Sequence, residues 1–426
     1  MQKTTNLARS ENFVARHRTH ESAFTRNRKL SFFNLLLFLL NQIKGSVQEE
    51  LDAFLREGDW PQAECESVSK AAFSKARRYL KPSAFIELNQ HLLSNLETQH
   101  RLETWHGLRL LAIDGSKVSV PNTPAVVDHF GGQSNAYGTK PMALVSQCYD
   151  VLNNLSLDVE IKPYKSCERA TAFAHLQRLS GSNNLILYDR GYPAAWLMAA
   201  HSDKQQHFCM RMPTEAKYHC VKDFLASEQI DTCVQIEVTR DALTQCRRYN
   251  IVTRTLPVRL IKIVLSTGEI EVLATDLLDS ATYPYELFKA LYQKRWGVEE
   301  DYKQQKHSLK IELYSGKTVH AVLQDIHAKV LTKNLTRIIA LGADEGLAQI
   351  NARRERTYAL NFKQALANTK FTLIKIVKAA DPEIWVERLI RQMLRYLEIV
   401  RPDRHFPRRR PVGSRGAVSG TYKPIR

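Results

Sequence analysis

Two short apolar runs, Leu110-Leu-Ala-Ile113 and Asn184-Leu-Ile-Leu-Tyr188, each lead straight into an aspartate, Asp114 and Asp189. No other feature constrains the fold as much. A carboxylate set among residues bound for a core is costly without a partner. If the runs are adjacent strands, the two acids converge at one spot on a sheet and repel each other. A divalent cation resolves that conflict, because Mg²⁺ prefers carboxylate oxygens and keeps waters and phosphate oxygens as its remaining ligands. Each aspartate alone is as readily a turn former or helix cap. The pair is what points to a metal site.

The pattern around these runs supports the sheet. Leu108 to Val120, Ala143 to Leu152 and Leu155 to Tyr164 read as three neighbouring antiparallel strands. A helix over Glu168 to Leu179, the Asn184 strand, a helix over Ala194 to Ala200 and a strand over Phe208 to Arg211 follow. This β-β-β-α-β-α-β order is that of a ribonuclease-H-like domain. The expected fold class is α/β, a ribonuclease-H-like catalytic core with a β-rich insertion and helical regions at both ends. The insertion is expected from runs at 234–239, 248–254, 259–266 and 269–275, the last two joined by a Thr267-Gly268 turn.

The expected spans are an N-terminal helical DNA-binding domain over 1–100, the first part of the core over 101–211 and the insertion over 212–278. An acid-bearing core helix over 279–318, a helical region over 319–400 and a basic disordered tail over 401–426 complete the chain. In the first span, Leu30 to Leu40 reads as a buried helix, about half the length that a bilayer requires. Ser46-Val-Gln-Glu49 is a capping box. Ser69 to Leu80 reads as a helix with Lys70, Arg77 and nearby Lys81 beside an apolar stripe, suited either to DNA or to a solvated basic face. The tail holds eight Lys or Arg against one Asp and supplies +7 of a formal net charge of +17. Such a charge attracts polyanions, with nucleic acid the default partner, and loses strength as salt rises. Seven scattered cysteines without a Cys-x-x-Cys pair argue against a disulfide framework or zinc ribbon and suggest reduced thiols in the cytoplasm. His207, Cys209, His219 and Cys220 match no standard zinc spacing.

A third acid lies in the stretch from Pro284 to Leu309, which reads as one long helix. On a regular helix Tyr292, Arg295, Glu299 and Lys306 fall within about 60° of one another. A carboxylate flanked by guanidinium and ammonium can hold a metal while gripping a phosphodiester; it can also be a salt-bridged surface. Glu300 and Asp301 point away from Arg295.

The spacing Tyr-x2-Arg-x3-Glu-x6-Lys resembles the YREK signature of bacterial insertion-sequence transposases of the DDE class, in the IS-four-like group. Asp114-Gly-Ser116 and Asp189-Arg-Gly-Tyr192 are similar to that family's first and second aspartate motifs, and the likeness covers about residues 25 to 345. The resemblance implies that Asp114, Asp189 and Glu299 are the catalytic, metal-binding triad for two Mg²⁺ ions, with Mn²⁺ able to substitute. It implies that Tyr292, Arg295 and Lys306 contact DNA phosphates, with Arg190 beside them. Trp296 would stack a flipped base, core packing being the alternative. The implied reaction is cleavage at element ends and transfer of the 3′ ends to target DNA, with a hairpin on the opposite strand as the signature suggests. The partners would be double-stranded DNA, both terminal inverted repeats and target, and a second copy of the chain in the synaptic complex. No membrane is implied, and the expected place is the bacterial cytoplasm at the nucleoid. A ribonuclease-H-like nuclease or resolvase, or a silent DNA-binding relic, are the rival readings.

Overall fold

The computed structural model describes residues 2–26, 28–41, 45–57, 68–100, 102–136, 138–214, 218–265 and 267–401. Cys65 and the basic tail beyond Arg401 lie outside the described residues. The chain opens with α1 (Gln2–Arg9), α2 (Glu11–His17), α3 (Phe32–Leu40), α4 (Val47–Glu57), α5 (Lys70–Arg77) and α6 (Ser83–Gln99). Serine side chains start several of these helices: Ser10 caps α2, Ser31 caps α3, Ser69 caps α5, and Ser46 Oγ accepts from the Glu49 N–H at 3.2 Å. The next elements are β1 (Arg109–Ser119), α7 (Pro124–Phe130), β2 (Gly132–Asn135), β3 (Gly138–Asp150), β4 (Leu155–Pro163), α8 (Glu168–Arg178), β5 (Asn184–Tyr188), α9 (Ala195–Asp203) and β6 (His207–Met212). Then come α10 (His219–Ala226), β7 (Asp231–Glu237), α11 (Arg240–Tyr249), β8 (Thr255–Val264), β9 (Ile270–Thr275), α12 (Leu287–Gln293) and α13 (Trp296–His307). The chain closes with α14 (Val319–Leu341), α15 (Asp344–Ala352), β10 (Tyr358–Leu360), α16 (Phe362–Lys378), α17 (Pro382–Arg395) and β11 (Leu397–Ile399).

Contacts divide the chain into two compact units, cut differently from the sequence-derived spans. One comprises Met1–His100, Val118–Ala143 and Gln304–Arg426; the other comprises Arg101–Lys117 and Leu144–Lys303. In the second, strands run in the order β4-β3-β1-β5-β6. β1, β5 and β6 are parallel neighbours, and the four residues between β3 and β4 allow only an antiparallel pair. This is the ribonuclease-H-like order expected from the sequence. The β-rich insertion extends the same sheet: β9 pairs antiparallel with β6, β8 with β9 and β7 with β8. Leu111, Ile113, Ile186, Phe173 and Trp196 pack in one core against its central parallel strands, whose apolar faces need cover.

The other unit is mainly helical. The Leu30 to Leu40 run is buried, as α3, against α5, α6, α14 and α16. Among the described residues no helix is long and apolar enough to cross a membrane.

Three expectations need correction. The run at 248–254 is not a strand. It is the end of α11 followed by an irregular segment, because Ala242, Cys246 and Tyr249 recur at helical spacing and pack on the core. The helix expected from Pro284 to Leu309 is two helices: i→i+3 hydrogen bonds from the Lys294, Arg295, Gly297 and Val298 N–H groups tighten the chain into a 3₁₀ turn between α12 and α13. Arg77 is not on a DNA-facing surface. It is 4% exposed and donates to Gln324, Ser315, the Ala321 carbonyl and Asp325.

Candidate active site

The paired register of β1 and β5 matches Leu110 with Leu185 and Ala112 with Leu187. Carried two residues further, it sets Asp114 opposite Asp189, with side chains on the same face because strand side chains alternate. Asp114 stands within β1, whereas Asp189 opens the turn that follows β5. Asp114 Oδ1 accepts from the Gly115 N–H at 2.8 Å, and Asp189 Oδ1 accepts from the Gly191 N–H at 2.8 Å. Glycines keep both places uncrowded: a Cβ on Gly115 would stand 2.9 Å from Leu144 Cδ1, and one on Gly191 would stand 3.1 Å from Asp189 Oδ1, so either side chain would have to shift.

Burial pushes the Asp114 carboxyl up to about 7. The Gly115 N–H opposes that rise, Asp189 adds to it, Arg295 opposes it and Glu299 adds to it again. The three acids and the arginine therefore share one electrostatic neighbourhood, although they come from separate segments. Arg295, at 7% exposure, donates to Glu299 Oε1 at 2.9 Å, and its buried Nε has no hydrogen-bond partner. Among the described residues no three acidic, imidazole or thiol groups stand close enough to enclose an ion as placed. Glu299 faces Arg295.

Tyr292 is buried, and its hydroxyl donates to the Tyr188 carbonyl at 3.2 Å, immediately before Asp189. Trp296 is 44% exposed beside the Arg295 guanidinium, 5.1 Å from ring centroid to Cζ, so it is not a core residue. Arg190 is exposed on the turn after β5. Lys306 is half-buried and lies seven residues beyond Glu299 on α13, close to two full turns. Asp301 is buried and accepts from Gln147 at 2.8 Å, while Glu300 is exposed and pairs with Lys303. Neither acid faces Arg295.

Other residues at this site escaped the sequence reading. Tyr302 donates its hydroxyl towards the Asp114 carbonyl at 2.8 Å and the Val145 carbonyl at 3.0 Å, tying α13 to β1 and β3. Burial keeps this phenol protonated by pushing it well above its ordinary value. It stands three residues after Glu299, on the same helix face, and that spacing was the available signal. Arg169 on α8 donates to the Gly191 carbonyl at 3.0 Å and steadies the turn that carries Asp189. Nothing in the local sequence announced it. The two tyrosines thus act alike: each reaches from the helix pair to a backbone carbonyl at or next to one of the two aspartates.

Comparison with known proteins places these residues within one matched region. A family model described as "Transposase DDE domain" matches residues 105–335. The transposase InsG for insertion sequence element IS4 of Escherichia coli (strain K12) is 25% identical over 280 residues, which cover 61% of this chain and 61% of that protein. The chain thus spans less than two thirds of the length of that relative. A cryo-EM structure of a piggyBac transposase synaptic complex with hairpin DNA covers 92% of this chain and 84% of its own, with a TM-score of 0.46 and 9% identity. On the matched span, which is more than half of its length, the chain belongs to the transposase DDE domain family, with an IS4-like relative.

Proposed function

We propose that the protein is a DNA transposase that cleaves the ends of an insertion sequence and transfers the freed 3′ ends into target DNA. One observation supports this reading: within a span matched by a transposase family, the charges of Asp189, Glu299 and Arg295 all bear on Asp114. The donor set is all carboxylate oxygen, which suits Mg²⁺ or Mn²⁺. A cation among these acids relieves the repulsion that bears on Asp114. Two such ions bound there would supply activation of the attacking oxygen and stabilisation of the leaving 3′ oxygen.

The chain's own residues divide the remaining work. Glu299 turns from Arg295 to join the two aspartates, and the released guanidinium takes a DNA phosphate, for which its forked donors are suited. Arg190 and Lys306 add positive charge along the strand, and Tyr292 holds the end of β5 in register. Trp296 offers an exposed ring to a base displaced from the duplex. Water attacks the scissile phosphodiester, leaving a 3′ hydroxyl and a 5′ phosphate. The 3′ oxygen then attacks a target phosphodiester and displaces that strand's own 3′ oxygen. One bond forms as one breaks, so no external energy source is needed. Joining two ends requires at least a dimer on DNA.

The test uses full-length protein, Mg²⁺ and a labelled duplex bearing the native element end, with Glu299→Ala alongside. Nicking that depends on Glu299 and is followed by joining to a second DNA is the expected outcome. Cleavage with no joining would make the protein a nuclease instead, and binding with neither would leave a DNA-binding relic.

A further inference from the structure

The turn after α2 and the first turn of α5 wall a cavity of about 680 Å³ within the helical unit. That volume falls in the range of about 300–1,000 Å³ found for small-molecule sites. Arg26, Arg28 and Lys75 line it and are exposed, and among the described residues no acidic side chain lines it. Its wall also holds two half-exposed rings, Phe24 and Tyr79. These stand edge to face with centroids 6.5 Å apart, and His20 packs on Tyr79 at 4.9 Å. Phe24 has a positive φ of 60°, a backbone state that a bulky residue adopts only when its surroundings enforce it. Ser69 and Ala72 line the same space, so the capped N-terminal turn of α5 adds its positive dipole end.

Exposed cations on a concave wall attract an anion, and aromatic walls suit a flat ring. A nucleotide carries both. We propose that this cavity holds one unpaired nucleotide of a DNA strand, its phosphate against Arg26, Arg28 and Lys75 and its base against Tyr79 and Phe24. The occupant is unpaired because a base stacked within a duplex cannot enter a concave site. This inference rests on the reading of the protein as one that handles DNA, and it adds a strand-holding site away from the carboxylates.

The experiment measures anisotropy of a labelled single-stranded oligonucleotide and of the blunt duplex of the same sequence over a range of salt, with full-length protein. The variants are Arg26→Ala/Arg28→Ala and Tyr79→Leu, with Tyr79→Phe to keep the ring. Arg240→Ala/Arg248→Ala on α11 serves as a charge-matched control. Arg26→Ala/Arg28→Ala should weaken single-strand binding at least about tenfold and lower the single-strand salt slope by up to about 1.4, against little change in the control. Tyr79→Leu should weaken the single strand more than the duplex, and Tyr79→Phe should bind as wild type. Single-strand affinity unchanged in the double variant, or a Tyr79→Leu loss equal for both DNAs, would overturn the site. So would full competition by a deoxynucleoside monophosphate at concentrations where the oligonucleotide shows no advantage. Strand binding at this cavity should be unchanged in Glu299→Ala. Nicking that persists with an unaffected double variant therefore removes this site and leaves the transposase reading intact, whereas site-dependent strand binding without nicking does the reverse.

Discussion

Arg77 and Arg295 are buried to similar depth, 4% and 7% exposed, yet their surroundings differ in kind. Arg77 donates from Nε to Gln324, from Nη1 to Ser315 and from Nη2 to Asp325 and the Ala321 carbonyl. Asp325 in turn accepts from the Ser315 N–H and hydroxyl. Such a closed network rigidifies the helices that share it. Arg295 makes one ion pair, to Glu299, and leaves Nε buried without a partner. An unsatisfied buried donor costs about 1–3 kcal/mol. The fold completes the first arginine by itself and leaves one donor of the second without a partner.

The strongest test of that contrast is Arg77→Met, which keeps the volume and removes the charge. It should lower unfolding free energy by about 3–5 kcal/mol, because Asp325 is left buried and uncompensated. Urea unfolding measures this, and Asp325→Asn in the same background should recover part of the loss as a coupling term. A cost under about 1 kcal/mol would break the contrast at its structural end.

Arg295→Gln probes the other end. Stability should stay within about 1 kcal/mol of wild type, since one ion pair is lost and one unsatisfied donor is removed with it. Glu299-dependent nicking should fall about 10²–10³-fold, the usual effect of deleting a positioned donor at a reacting centre. A variant that unfolds as readily as Arg77→Met would mean that Arg295 too serves mainly the fold.

How far the sequence foretold this molecule depends on how local each signal was. The two aspartates were legible because an aspartate after an apolar run is locally anomalous, and the structure pairs the two runs as parallel neighbours. Ser46 was legible as a cap for the same local reason. Arg77 was misread because its partners lie 238 to 248 residues away on the chain. No helical wheel contains them. The 3₁₀ turn at Lys294 to Arg295 was invisible for a subtler reason, since both residues are ordinary helix formers and only packing distinguishes i→i+3 from i→i+4 bonding. The end of α11 and the segment after it were mistaken for a strand because the basic pair Arg247-Arg248 hides the Ala242, Cys246 and Tyr249 stripe.

Tyr292 and Tyr302 give the finest discrimination. Both hydroxyls donate to backbone carbonyls beside the acids, at Tyr188 and Asp114 respectively. Resemblance to the transposase signature gives Tyr292 a phosphate to contact, whereas its burial and hydrogen bond give it a strand end to hold. Tyr302, absent from that signature, is the internal standard. If Tyr292 holds the strand end, Tyr292→Phe and Tyr302→Phe should each cost about 1 kcal/mol in urea unfolding and leave the Kd for element-end DNA unchanged. If Tyr292 grips a phosphate instead, its variant alone should lose DNA affinity while matching wild type in stability. The carbonyl contact requires the first pattern, because a phenol whose one proton is already directed into the fold has none to offer a phosphate.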